Sequence, residues 1–469
     1  MPAEFLALAL GELGRGDLYF ECFGGYGMKI QLSDHFSYGK LFRFTFPSIV
    51  MMIFTSVYGV VDGLFVSNYL GKTPFAAVNF IFPFIMVLGA FGFLFGTGGS
   101  ALVSKTMGLG EMEKANRLFS MLSYISMAVG VLISVLGMLF IRPLAAWLGA
   151  EGELLELCVL YGRILLIGNP FFMLQVQFQS FFITAEKPKL GLVDSIIAGI
   201  TNILLDWLFI AVFRWGIVGA ALATALSQVA GGMYPLIYFL RKNDSLLRLT
   251  RCGFDGEALR KTCSNGSSEL LSNISMSLVG MLYNVQLMKY SGQDGVAAYG
   301  VLMYVNMIFI GTFIGYSIGT APVIGFHFGA ENREELKSLR KKSLWIIGGF
   351  SLVMMLLGEL LAAPLSRLFV GYDRELMELT LRGFRIFSFS FFFAGFAIFG
   401  SSFFTALNNG PVSAAISFLR TVVFQTAAIL LLPLLWAVDG IWISIVIAEM
   451  MATVVFLIFM MLLRKRYCY

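Results

Sequence analysis

The sequence predicts an all-α polytopic membrane protein: twelve transmembrane helices in two six-helix lobes related by a parallel pseudo-two-fold repeat. Three observations carry this. The 469 residues are 58% hydrophobic and only 13% charged, about half the charged share of a soluble domain, so such a chain could not cover its surface in water. Apolar stretches of spanning length follow one another along nearly the whole chain, and basic residues fall in every second gap between them. The second half repeats spaced residues of the first at a fixed offset.

Charge clusters and Gly, Pro or Asn breaks delimit the twelve stretches: residues 44–67, 75–100, 118–141, 157–182, 191–213, 216–239, 267–289, 296–326, 343–366, 380–404, 412–435 and 440–463, numbered here as spans 1 to 12. Each crosses about 30 Å of hydrocarbon at ~1.5 Å per residue. The lead-in, the C-terminus and every second loop hold 22 Lys and Arg, whereas the opposite loops hold 6. The excess predicts that both termini are cytoplasmic. Met28 opens a basic, amphipathic lead-in, and residues 1–27 read as an upstream extension without a secretory-signal core.

The repeat runs at an offset of 221 residues: Ala76-Ala77 with Ala297-Ala298, Gly98 with Gly319, Gly108 with Gly329, Gly162 with Gly383, Thr184-Ala185 with Thr405-Ala406, and Gly219 with Gly440. Six spans separate the copies, so both have the same orientation. The expected division is an extension and lead-in at 1–39, an N-lobe at 40–240, a cytoplasmic loop at 241–261 and a C-lobe at 262–469.

A carboxylate within a span costs about 2.5–3.5 kcal/mol on insertion scales, so each needs a reason. Asp62 lies late in span 1 and Asp206 late in span 5, both of which run outward. Asn202 precedes Asp206 by four residues and shares its helix face, and Thr224 lies early in the returning span 6. Two carboxylates, an amide and a hydroxyl at one depth are hard oxygen donors, suited to a proton or a small cation such as Na⁺. Such residues can also merely join helices. Against that, the repeat replaces Asp62 by Tyr283, Asn202 by Val423, Asp206 by Ala427 and Thr224 by Ile445, so the set belongs to one lobe.

Glu269 at the start of span 7 and Arg420 in span 11 are further candidates for substrate binding or coupling, and the two could pair. Glu359 and Glu449 have no partner legible in the sequence, while Lys105 and His327, at the ends of spans 2 and 8, read as interfacial. The 24 Met and 47 Phe mostly pack between helices or face lipid, although such side chains also suit adaptable binding surfaces. The five scattered Cys and two His form no CxxC pair, disulfide framework or catalytic set, and no phosphate-binding GxxxxGK[ST] loop occurs. No cofactor is implied.

From about residue 29 to 466 the chain resembles the MATE (multidrug and toxic compound extrusion) family. The likeness rests on Pro47 before the Asp62 helix, NYLGKTPFAAVNF, GTGGSALVSKTMGLGE with IGTAPVIGFHFGAEN, and FFITAEKPKLG with FFTALNNGPVS. It implies two six-helix lobes forming a V, and a cation site at Asp62, Asn202, Asp206 and Thr224. Some members use a span-7 glutamate at a depth where this chain has Ser275, Met276 and Ser277.

The expected function is that of a secondary active multidrug exporter in the cell membrane. It would antiport amphipathic, cationic small molecules against H⁺ or Na⁺ by alternating access, with the bilayer and no nucleic acid as surroundings. An enzyme is not expected. A lipid-linked oligosaccharide or lipid flippase is the alternative, but it would need more intramembrane cations than the few Arg here. A non-transporting receptor or scaffold would leave the one-sided acidic set without a purpose.

Overall fold

The computed structural model describes residues 30–70 and 72–467, and the extension read at residues 1–27 lies outside them. Among the described residues all regular structure is helical. Ten helices are long and apolar enough to cross a membrane, and Arg374–Ser388 with Ser390–Ala406, bent by 45°, forms an eleventh crossing. The 74-residue helix Gly256–Gly329 is too long for one span. It breaks at Gly292 (φ 60°, ψ −148°), a backbone that suits only glycine, and carries spans 7 and 8. Residues 262–266 and 326–330 both lie against the segment Leu94–Gly108, so the chain doubles back. The twelve expected spans are all present.

Two apolar cores organise the lobes. One gathers Val66, Ala77, Ile81, Ile141, Ala220 and Ala221; the other gathers Leu287, Ala298, Leu302, Ala362, Ile441 and Trp442. Each residue of the first set meets its counterpart 221 positions later in the second, so the repeat read from the sequence is a repeat of buried positions.

The turns repeat as well. After span 2, Gly110 (φ 81°) and Glu111 donate back to the Met107 and Thr106 carbonyls; after span 8, Glu331 (φ 53°) and Asn332 do so to Phe328 and His327. This is one left-handed C-cap used twice. After span 4 the capping residue is Glu186 (φ 60°), and after span 10 it is Asn408 (φ 56°), with the same bonding. That pair stands 222 apart, so the offset is not constant. Gly162 and Gly383 stand at 221, so the added residue falls between Gly383 and Asn408, and the caps pair Thr184-Ala185 with Ala406-Leu407 rather than with the expected Thr405-Ala406.

These turns, the 241–255 segment and both ends of the described chain lie at one end of the bundle, called here the basic end. The lead-in is tied down there between the lobes. Leu32 and Phe36 are fully buried, and the Leu32 amide donates to Glu186 Oε1 at 2.7 Å. The Phe36 amide donates to Glu335 Oε1 at 2.9 Å, while Lys342 Nζ donates to the Phe36 carbonyl. His35 Nδ1 meets Glu335 Oε2 at 2.5 Å. His327, in the last turn of span 8, is buried beneath this strap, edge-on to Phe36 at 6.4 Å. Lys105 lies over the Phe328 ring at 5.0 Å.

The closest approaches of the two lobes lie in the same half of the bundle. Gly98 abuts Thr262 and Gly266, Gly319 abuts Thr45, and Gly315 abuts Ser48 and Ile49. Ser56 Oγ donates to the Met307 carbonyl at 3.1 Å.

Candidate functional site

Span 5 begins with Pro188 in its first turn, where the missing N–H costs nothing. Its buried face carries Asp194, Ala198, Asn202 and Asp206 at four-residue spacing. Directly after Asp206 the helix widens into a π turn, Trp207–Val212. Such turns concentrate at functional positions because the extra residue re-aims the side chains around it. Asp206 is fully buried, Asn202 nearly so, and Asp62 is half-buried on span 1.

The structure brings these three together. Asp62 interacts directly with both Asp206 and Asn202. Even so, Asp62 Oδ1, both Asp206 oxygens and both polar atoms of the Asn202 amide are buried without a hydrogen bond of good geometry. Buried polar atoms are ordinarily satisfied. A proton or small cation held between the carboxylates would satisfy the acceptors, so the donor set fits the hard cation expected from the sequence.

Thr224 joins less directly. Its hydroxyl donates to the Ala220 carbonyl at 3.1 Å and lies beside the phenol of Tyr161. Tyr161, 1% exposed on span 4, is within electrostatic reach of Asp62 and Asp206 and closes the site on that side. Sequence reasoning missed Tyr161, which stands in no motif and marks itself only by its burial.

The second lobe has no carboxylate pair at the repeated positions. Tyr283 shares a 2.7 Å hydrogen bond with Ser444 and stacks on Tyr299 at 5.3 Å. Ile445 packs on the second core, whereas Val423 is exposed where Asn202 is buried, so the one-residue slip carries into span 11. The polar feature of this lobe is elsewhere. Arg420, on the π turn Leu419–Phe424, donates through Nε to Glu449 Oε1 at 3.0 Å and Oε2 at 2.8 Å. Gln425 Nε2 lies 3.4 Å from the same carboxylate. The suggested pairing of Arg420 with Glu269 is therefore corrected: Glu449, on span 12, takes the guanidinium, and Glu269 stands within its electrostatic range without an ion pair.

A repeated six-helix unit, an intramembrane aspartate pair present in one copy only and lobes meeting at one end together define a polytopic membrane protein of the secondary-transporter type. The MatE family model matches residues 47–208 and again 270–430, once in each lobe. The chain belongs to the MatE family. It is 24% identical over 427 residues to the multidrug export protein MepA of Staphylococcus aureus (strain MRSA252), covering 91% of this chain and 94% of that one. To the MepA of Staphylococcus saprophyticus it is 25% identical over 457 residues, 94% of this chain and 98% of the relative. Among solved structures it is similar, at TM-score 0.88 and 25% identity, to an outward-facing multidrug resistance MATE family transporter of the MOP superfamily, over 95% of this chain and 99% of that chain. A MOP superfamily transporter from Pyrococcus furiosus Vc1, described as having a binding pocket of reversed polarity, matches at TM-score 0.87 and 25% identity over 95% of this chain and all of that chain.

Proposed function

We propose that this protein is a secondary active exporter of amphipathic, cationic small molecules, which it exchanges for H⁺ or Na⁺ across the cell membrane. The observation that carries the reading is the Asp62–Asn202–Asp206 grouping in the first lobe with uncharged residues at its repeat positions. Cation binding there would differ between inward- and outward-open states, and only such a difference can shift one state to the other. The excess of basic residues supports a cytoplasmic basic end, with lobes at 40–240 and 262–469 joined by the loop 241–261. On that orientation the lobes close toward the cytoplasm, as an outward-facing state requires. The flippase alternative gains nothing from Arg420, whose guanidinium is engaged by Glu449.

The test is efflux of a cationic dye from vesicles carrying the purified protein, with pH and Na⁺ gradients imposed separately. One of the two gradients should drive dye against its own gradient. Dye movement indifferent to both would overturn the reading.

A further inference from the structure

Asp194 stands in span 5 twelve residues before Asp206 and six after Pro188. At ~1.5 Å per residue it lies about 18 Å from the Asp62–Asp206 pair and about 9 Å from the basic end of its helix. It is fully buried, and neither carboxylate oxygen has a hydrogen-bond partner of good geometry. Three elements surround it. Span 4 contributes the Gln179 amide, which lies beside it while donating to Ser195 Oγ at 3.0 Å. Span 6 contributes the Tyr234 phenol, and span 1 the Tyr58 phenol. No cation is among these neighbours, so nothing in its surroundings compensates a permanent negative charge.

Tyr58 links this carboxylate to the candidate coupling site. It precedes Asp62 by four residues on one face of span 1 and is within electrostatic reach of both Asp62 and Asp194. Its ring packs on span 5 between the two acidic positions: a Cβ on Gly199 would stand 2.9 Å from Tyr58 Cδ1. The repeat places Ala415 or, with the one-residue slip, Ile416 opposite Asp194, so this carboxylate too is peculiar to the first lobe.

We propose that Asp194 is a second proton-carrying carboxylate, a relay between the Asp62–Asp206 pair and the water at the basic end. The inference rests on the ion-coupled reading above, with H⁺ as the ion. Asp194, a carboxylic acid at rest, gives its proton to water at the basic end and becomes a carboxylate. Tyr58 then passes its own proton to that carboxylate as it accepts the proton that a carboxyl of the Asp62–Asp206 pair gives up. Asp194 is thereby restored as a carboxylic acid, and the pair is left with a carboxylate. Protons and charge balance without any further group.

The test uses the full chain in proteoliposomes with ethidium as the probe, comparing wild type, Asp194→Asn and Asp194→Glu at equal protein level. Ethidium binding by Asp194→Asn should stay within about twofold of wild type, because the site itself is intact. Flux driven by a pH gradient should fall at least about tenfold, the scale of losing a positioned proton carrier. Asp194→Glu should restore most of it. A residue that only joins helices would work as well as Asn, so wild-type flux in Asp194→Asn overturns the relay. Joint loss of binding and flux without rescue by Glu overturns it too. Wild-type flux driven by Na⁺ alone removes the relay and leaves the exporter, while wild type indifferent to both gradients removes the exporter reading itself.

Discussion

Gly108 and Gly329 each rest on a backbone carbonyl of the other's helix: a Cβ on Gly108 would stand 2.1 Å from the Phe326 oxygen, and one on Gly329 2.1 Å from the Lys105 oxygen. Lys105 and Gly108 are the repeat counterparts of Phe326 and Gly329 at offset 221. The contact is therefore its own image under the repeat, and the pseudo-two-fold axis passes between spans 2 and 8 at this point. Backbones that approach so closely leave no room for a side chain.

Gly108→Ala and Gly329→Ala should therefore each weaken the joined arrangement, by about 1–3 kcal/mol as for other forced insertions into close packing. The two effects should be non-additive, because the first substitution already separates the helices that the second would separate. Spin-label distances between spans 2 and 8 would report this. Unchanged distances in both variants would show that the helices yield without parting.

The orientation of the basic end can be read directly. Phe254, 76% exposed in the segment 241–255, offers a place for a reporter cysteine in a background lacking the native ones. Phe254→Cys in intact cells should resist a membrane-impermeant maleimide and react after permeabilisation. Labelling in intact cells would reverse the topology.

The architecture was legible because bilayer physics is one-dimensional: apolar length and charged gaps give the spans without tertiary information. The merged helix of spans 7 and 8, the bend at Phe389 and the slip from 221 to 222 were not, since they depend on how neighbouring helices meet. The site was half legible. Asp62, Asn202 and Asp206 announced themselves as polar residues at matched depth, and their grouping follows from helix spacing. Tyr161 could not be found this way, because a tyrosine in an apolar span is ordinary. Asp194 was missed for another reason: its closeness to Lys187 and Lys189 in sequence suggests an interfacial charge, whereas the helix turns it inward. The partner of Arg420 was misassigned because Glu269 and Glu449 both lie on neighbouring spans, and only side-chain direction separates them.

Neutralising the candidate coupling pair should separate expression from function. Asp62→Asn and Asp206→Asn keep shape while removing the charge that would hold a cation, so both should reach the membrane normally and lose gradient-driven dye export. Tyr161→Phe should weaken export less than either, since it removes one hydroxyl beside Thr224 and no charge. Export at the wild-type rate in both Asn variants would exclude the pair from coupling.

Arg420 and Glu449 give the sharpest stability prediction, because the carboxylate is buried and the guanidinium largely so, with side-chain exposures of 3% and 16%. Removing one partner of such a pair strands the other's charge in a low-dielectric interior, a loss of about 3–5 kcal/mol in comparable cases. Arg420→Met should therefore lower the thermal unfolding midpoint in detergent strongly. Glu449→Gln should lower it as well, because the guanidinium loses its carboxylate. The double variant removes both charges together and should recover much of the loss, since the desolvation cost of the pair disappears with its attraction. Glu269→Gln should shift the midpoint much less, because Glu269 forms no ion pair with Arg420. A Glu269→Gln loss as large as that of Glu449→Gln would mean that the guanidinium is shared between the two carboxylates. The absence of recovery in the double variant would mean that the pair stabilises the second lobe through its geometry rather than by cancelling its own charges.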